Sequence, residues 1–206
     1  RSKMLFKIVS KTNNIELGRK IFKKVQDGFG GEMHVMVSGG AKIDPQIVKD
    51  FTTLGFRMLE GYGLTETSPI LTFTRYDDIR PGSCGGALPE VELKIANDGE
   101  IIARGKNIMK GYFNKPEATA EVIDKDGWFH TGDLGEIRDN YLYIIGRKKE
   151  MIVLPNGKNI NPQDIEDNIM KKTNLISELA ITEHKNHLIA IIYPNFKVIE
   201  KEGIKN

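Results

Sequence analysis

One cysteine, Cys84, stands in 206 residues, so the chain can close no intrachain disulfide. That scarcity fits a reducing compartment. Histidine is nearly as rare, with four. His34, His184 and His187 have no cysteine or histidine partner at the spacing a zinc site uses, so no zinc site is read. The longest apolar run, LIAIIY at 188–193, falls far short of the roughly 20 residues that cross a bilayer. Neither sign of charge dominates: 30 basic against 28 acidic side chains leave +2, and the lysines are scattered. Nothing here draws nucleic acid. Repeats and low-complexity segments are absent. No secretory signal is visible, although the start at Arg1 rather than Met leaves a removed segment open. The expected location is cytoplasmic.

What is present is the material of a folded protein: 39% hydrophobic residues, 28% charged and 21 glycines. The length allows one large domain or one and a half small ones. Residues 15–29, IELGRKIFKKVQDGF, carry apolar side chains at helical spacing. EMHVMVSGG then reads as a strand ending in a glycine turn. DPQIVKDFTTLG reads as a helix, with Asp44 as N-cap, Pro45 at the first position and Gly55 as stop. FRMLEGYG is the next strand and turn. This strand–helix–strand unit is α/β, and ligands of such sheets sit beyond the carboxyl ends of the strands. Between about 70 and 145, short segments such as EVELKIA, EIIARG, LGEIRD and YLYIIG read as an antiparallel β-unit, interrupted by a helical KPEATAEVI. MIVLPNGKNI predicts a hairpin with its turn at 155–157. NPQDIEDNIMKK predicts a helix capped by Asn161, and ISELAITE and HLIAIIYP predict two strands. A domain boundary is expected near 146–150.

The stretch EGYGLTETSP (60–69) opens like a phosphate-cradling turn, yet has a glutamate where a dinucleotide fingerprint has its third glycine. Backbone N–H groups of a glycine turn suit an anion, and Thr65 adds a hydroxyl donor. Glu66 makes sense beside phosphate if a divalent cation lies between them, because Mg²⁺ is commonly held by one or two carboxylates plus substrate phosphates. Tyr62 offers a flat face to a base. An ordinary strand–turn with a capping threonine explains the stretch equally well. In GWFHTGDLGEI (127–137), Asp133 follows Gly132 in what reads as a tight turn before a strand. A carboxylate there could accept both hydroxyls of a ribose, though turn chemistry alone also accounts for it. The cations of GRKKE (146–150) suit phosphates or a solvated face.

Taken in order, SGGAKI (38–43), EGYGLTETSP, GEIIARGKNIMKGYFNKPEAT (99–119), GWFHTGDLGEI and GRKKEMIVLPNGKNINPQDIE (146–166) resemble the consecutive signatures of the adenylate-forming superfamily. The wording is most similar to bacterial AMP-forming long-chain fatty acid–CoA ligases. The resemblance implies an α/β plus α+β fold. Residues 1–146 would end a large adenylate-binding domain, with an α/β unit and an antiparallel β-barrel-like unit. Residues 147–206 would form part of a small mobile C-terminal lid domain. ATP, Mg²⁺ and CoA are the implied cofactors and co-substrates, and a carboxylic acid is the remaining small-molecule partner.

By the same resemblance Gly39, Gly40 and Ala41 line the adenine pocket. Glu60, Gly61, Tyr62 and Gly63 form the nucleotide-facing turn, with Tyr62 stacking on the base. Thr65 bonds the α-phosphate, Glu66 holds Mg²⁺, Asp133 grips the ribose and Ile144 packs near the base. Arg147 reaches ribose or phosphate. Lys149 is the hinge about which the small domain swings, and the hairpin around Gly157 is presented for thioester formation. The family's upstream phosphate loop has no counterpart, since no TSGTTG-like stretch occurs. The family's late catalytic lysine has none either: the tail VIEKEGIKN lacks the pattern, although Lys201 and Lys205 lie there. The chain is therefore expected to be a piece of a longer enzyme, inactive in adenylation alone. An aryl-acid ligase and a non-catalytic nucleotide-binding module are the alternatives. Peripheral membrane contact is left open, because fatty acids partition into bilayers while no basic amphipathic helix demands it.

Overall fold

A computed structural model describes residues 2–155 and 157–203. Asn156, inside the expected 155–157 turn, and the late Lys205 lie outside the described residues. Packing divides the chain into two units, residues 1–131 with 135–144, and residues 132–134 with 145–206.

The first unit begins with three short helices, α1 (Ser2–Val9), α2 (Ile15–Ile21) and α3 (Lys23–Gly28). The helical spacing of 15–29 is thus divided at Phe22, whose φ of −100° and ψ of 34° leave the helical region. Tertiary demands account for the break. Gln26 is buried and donates to the Leu54 carbonyl, while the Arg19 guanidinium bonds the Gln26 amide oxygen and the Gly31 and Met33 carbonyls. Gly18 permits the contact beneath, because a Cβ there would lie 2.2 Å from the Thr53 carbonyl oxygen.

Strand β1 (Val35–Ser38) leads to helix α4 (Pro45–Leu54) and strand β2 (Arg57–Tyr62). The local signals act as expected. The Asp44 carboxylate accepts from the Gln46 N–H, Pro45 sits in the first turn, and Gly55 ends the helix in the left-handed region at φ 99°. Parallel pairing sets Val35 beside Arg57 and Ser38 beside Glu60. Two short antiparallel strands, β3 (Thr72–Phe73) and β4 (Gly86–Ala87), complete this sheet.

A second sheet follows in the order β5 (Val91–Ile95), β6 (Glu100–Gly105), β7 (Phe129–Arg138) and β8 (Tyr141–Arg147), with helix α5 (Pro116–Val122) between β6 and β7. Asp139 and Asn140 turn the β7–β8 hairpin, both at positive φ as a type I′ turn requires. The two sheets share one core: Tyr62, Leu71, Ile101, Ala103 and Leu142, ringed by Leu64, Cys84, Leu93, Ile108 and Ile144. Residues 83–85 add backbone bonds to Leu142, whose N–H donates to the Gly85 carbonyl and whose carbonyl accepts from Cys84 N–H and the Ser83 hydroxyl.

One expectation is corrected here. Asp133 does not precede a strand; it lies inside the ten-residue β7, and Gly132 at φ +74° bends that strand rather than opening it. The inward positions of β7 are Phe129, Thr131, Asp133 and Gly135. Two of the four are polar, so the period-2 apolar signal that marks a strand is missing from its first half.

The second unit has a 3₁₀ turn at Lys148–Glu150 and a small hairpin of β9 (Ile152–Val153) and β10 (Asn159–Ile160). Helix α6 (Pro162–Met170) follows, then a long hairpin of β11 (Ile176–His184) and β12 (His187–Pro194), and helix α7 (Phe196–Lys201). The Glu166 carboxylate accepts the Ile181 N–H at 2.7 Å, pinning α6 to β11.

Leu142 is 1% exposed at the centre of the shared core. Leu142→Ala should cost about 2–5 kcal/mol in guanidinium unfolding. A loss well under 1 kcal/mol would show that the two sheets do not depend on this side chain.

Candidate functional site

The carboxyl ends of β1 and β2 lie side by side, as the Ser38–Glu60 pairing dictates. Their continuations therefore meet. Gly39, Gly40 and Ala41 form an exposed loop after β1, and a Cβ on Gly39 would come 3.5 Å from the Gly61 carbonyl oxygen. Gly61 belongs to β2, not to the turn, and faces the Phe73 ring at 2.8 Å from where its Cβ would be. Gly63 is a glycine of close approach: any Cβ would lie 1.9 Å from the Pro69 carbonyl oxygen.

Beyond Gly63 the chain makes a single 3₁₀ turn, Thr65–Thr67. Thr67 is fully buried, and its hydroxyl both donates to the Leu64 carbonyl and accepts from the Leu64 N–H, each at 2.9 Å. That closed ring leaves Thr65 exposed and Glu66 half-exposed. The Glu66 carboxylate is not loose. Its Oε1 accepts a hydrogen bond from the Tyr112 hydroxyl at 2.8 Å, and its carbonyl accepts from the Met109 N–H at 2.8 Å. Bonding to Glu66 holds the Tyr112 phenol above its ordinary pKa. Sequence reasoning missed Tyr112, although it stands in the KGYF segment; nothing local says that it reaches a residue 46 positions earlier.

Tyr62 and Ile144 come together in the shared core, where Tyr62 is 9% exposed. Glu60 is buried at the end of β2, with its N–H donated to the Thr74 hydroxyl and its carboxylate bonded by the Gly82 N–H. Desolvation outweighs that bond and pushes its pKa to about 7. Burial, with a contribution from Glu60, pushes the Cys84 thiol up to about 12, so it stays protonated and unreactive.

In the second unit Asp133 is 5% exposed and its Oδ1 lies 3.1 Å from the Nε of Arg147. These two expected ribose ligands are thus paired with each other. Lys149 is exposed in the 3₁₀ turn and lines a cavity of about 530 Å³ with Met151, Glu166 and Ile181. Gly157, at φ +77°, sits exposed in the hairpin turn, and no atom comes within 4 Å of where a Cβ would lie. His130 in the first unit serves as a tie: its Nδ1 is 3.1 Å from the Glu100 carboxylate and its Nε2 is 3.7 Å from that of Asp124.

No cluster of three or more His, Cys, Asp or Glu side chains that could hold a metal ion exists among the described residues. Glu66 stands as a single oriented carboxylate. A single carboxylate fits a cation that arrives with phosphate oxygens of its own, as Mg²⁺ does. No helix of the described residues is long and apolar enough to cross a membrane.

Residues 4–113 match the family model described as AMP-binding enzyme. The chain is 36% identical over 175 residues to the long-chain-fatty-acid–CoA ligase FadD15 of Mycobacterium bovis, an alignment taking in 84% of the chain and 29% of that protein. It thus spans less than a third of the curated relatives it matches. Among solved structures it is similar to ATP-bound MatB from Rhodopseudomonas palustris, with a TM-score of 0.70 and 32% identity over 81% of this chain and 36% of that one. It is also similar to the O-succinylbenzoate coenzyme A synthetase MenE of Bacillus subtilis in complex with ATP and a magnesium ion, with a TM-score of 0.67 and 27% identity over 78% of this chain and 36% of that one.

The Glu60 shift carries a pH signature. Its native pKa of about 7 exceeds the ordinary 4.5, so the native state holds a proton that the unfolded chain releases between those values. The stability contribution is full below pH 4.5 and is lost as pH rises through 7. Glu60→Gln should flatten this decline in urea melts run from pH 4.5 to 8. Identical slopes in the two proteins would remove Glu60 from the account.

Proposed function

Since the chain belongs to the AMP-binding enzyme family, we propose that it serves ATP-dependent activation of a long-chain fatty acid as acyl-adenylate, followed by transfer of the acyl group to CoA. The observation that carries this reading is the juxtaposition of the Gly39–Ala41 loop with the last residues of β2, from which the chain runs into the Thr65–Thr67 turn. Parallel α/β sheets bind their ligands at that edge. The identity to FadD15 supports a fatty acid as the substrate. The likeness to MenE keeps an aryl carboxylate as the second reading.

In the first half-reaction a carboxylate oxygen of the acid attacks the α-phosphorus of ATP. The phosphoanhydride bond breaks and pyrophosphate leaves. Thr65 donates its hydroxyl to an α-phosphate oxygen. The Glu60–Gly63 segment with Gly39, Gly40 and Ala41 receives the base, next to Tyr62 and Ile144. Asp133 and Arg147 receive the ribose. Glu66 holds Mg²⁺, which supplies neutralisation of phosphate charge. In the second half-reaction the CoA thiolate attacks the acyl carbon, and AMP leaves as the mixed anhydride opens. The protein's contribution to both is positioning and charge stabilisation.

Residues 1–146 are assigned to a large adenylate-binding domain and 147–206 to a small lid domain that pivots at Lys149. The hairpin around Gly157 then serves the thioester step. A carboxylic acid, ATP and CoA are the small-molecule partners, and a cytoplasmic location with peripheral membrane contact suits a lipid substrate.

The first test is carboxylate-dependent ATP–pyrophosphate exchange by the full gene product, with fatty acids of graded length and several aryl acids. Exchange greatest with long fatty acids is expected, and Asp133→Ala should weaken ATP and AMP binding by about ten- to a hundredfold, the worth of hydrogen bonds to a charged group. Exchange with aryl acids alone would select the second reading. A complete lack of exchange, with nucleotide still bound, would leave a non-catalytic binding module. Lys149→Pro should preserve exchange while impairing acyl-CoA formation at least tenfold. Equal loss of both half-reactions would discard the pivot.

A further inference from the structure

The loop that follows β6 has no part in the reaction described above, yet it binds the segment from the Thr65–Thr67 turn to Ile70 at four points. The Met109 N–H donates to the Glu66 carbonyl at 2.8 Å. The Asn107 side-chain amide donates to the carbonyls of Thr67 and Ile70, each at 3.0 Å. The Tyr112 hydroxyl donates to Glu66 Oε1 at 2.8 Å. Three of these bonds hold backbone. Only the tyrosine holds a side chain, and that side chain is the carboxylate of Glu66.

Tyr112 is itself fixed from behind. Its N–H donates to the Thr119 hydroxyl at 2.9 Å, its carbonyl accepts from the Lys115 N–H at 3.1 Å, and the Thr119 hydroxyl donates to the Lys115 carbonyl. Gly111 fits the same knot at φ +145°, with Thr119 2.8 Å from where a Cβ would lie. The position of the phenol is therefore set by α5 and handed on to Glu66. A glutamate on a surface turn otherwise turns freely about its side-chain bonds. With Oε1 held by the Tyr112 hydroxyl, the carboxylate has one fixed partner that sets its orientation.

We propose that Tyr112 is a positioning residue that holds the Glu66 carboxylate in the orientation that meets the divalent cation accompanying the nucleotide. This inference rests on the reading of Glu66 as the cation's ligand. Stability is not the natural role of this bond, because it joins two side chains that are both open to solvent. Phenylalanine would keep the ring and every backbone bond of the loop.

The test compares Tyr112→Phe and Glu66→Gln with the parent in the full gene product. Mn²⁺ in the presence of ATP is followed by electron paramagnetic resonance, and ATP binding is measured separately with Mg²⁺ and with EDTA. Tyr112→Phe should weaken protein-bound Mn²⁺–ATP by about ten- to a hundredfold, the usual effect of removing a partner of a metal-binding side chain. ATP affinity in EDTA and the thermal midpoint should stay at parent values. In pyrophosphate exchange the KM for Mg²⁺–ATP should rise more than kcat falls. Parent-like Mn²⁺ binding by Tyr112→Phe beside a loss in Glu66→Gln overturns the role of the tyrosine alone. Parent-like binding by both variants overturns the reading of Glu66. An equal loss of ATP affinity in EDTA and in Mg²⁺ also overturns the inference, since the tyrosine would then act on the nucleotide or the fold.

Discussion

Parallel pairing of β1 with β2, in the register that sets Ser38 beside Glu60, is the constraint on which the first unit depends. It requires a crossover, which α4 supplies, and α2 comes within backbone contact of the end of α4. Gly18 allows that contact, and Arg19 and Gln26 then satisfy the carbonyls that the short helices and the following loop leave over. The same register brings two strand ends to one level, so the glycine loop after β1 and the turn after β2 become neighbours without any long-range side-chain contact. The candidate site is thus a consequence of sheet geometry first and of side-chain chemistry second.

The core beneath that edge is unusual in how many polar groups it admits. Thr67, Thr72, Thr74, Ser83, Glu60 and Glu100 are all buried. Several take backbone partners that tie a strand to a neighbouring loop: Thr72 donates to the Cys84 carbonyl, Ser83 to that of Leu142, and Thr74 accepts from Glu60 N–H. A buried hydroxyl with a fixed partner contributes little net stability, but it specifies geometry, because leaving it unpaired is costly. Glu60 is the member for which desolvation prevails, and its proton affinity rises in response.

Elements with local signals were legible in the sequence. Asp44, Pro45 and Gly55 delimit α4, and Asn161 and Pro162 start α6, because caps act within one turn of the residues they serve. The motifs around Glu66 and Asp133 stood out in the sequence, since a carboxylate in such a place asks for a reason, and the chemistry assigned to them is the proposal made above. The rest was not, and each case traces to tertiary structure. The break at Phe22 answers to Thr53 and Leu54 on another helix. The first half of β7 hides behind its inward polar residues, Thr131 and Asp133. The Tyr112–Glu66 bond joins positions 46 apart, and no periodicity spans that distance. The rise in the Glu60 pKa depends on what covers it, which a linear pattern does not contain.

Asn161 has two duties within the second unit. Its Oδ1 caps α6 by accepting the Gln163 N–H at 3.1 Å, and its Nδ2 donates to the Ile145 carbonyl at 2.6 Å, at the end of β8. Gly146 lies beneath it, where a Cβ would come 3.0 Å from Nδ2. The proposed pivot at Lys149 falls between the two ends of this bridge. Rotation there must open the bond to Ile145, at a cost on the order of 1 kcal/mol, and leave the cap intact. Rotation upstream of Ile145 would carry the whole bridge along unbroken. If the chain pivots at Lys149, this one asparagine would work as a clutch, tying Ile145 to the start of α6 while its bond holds and freeing the lysine to bend when it opens.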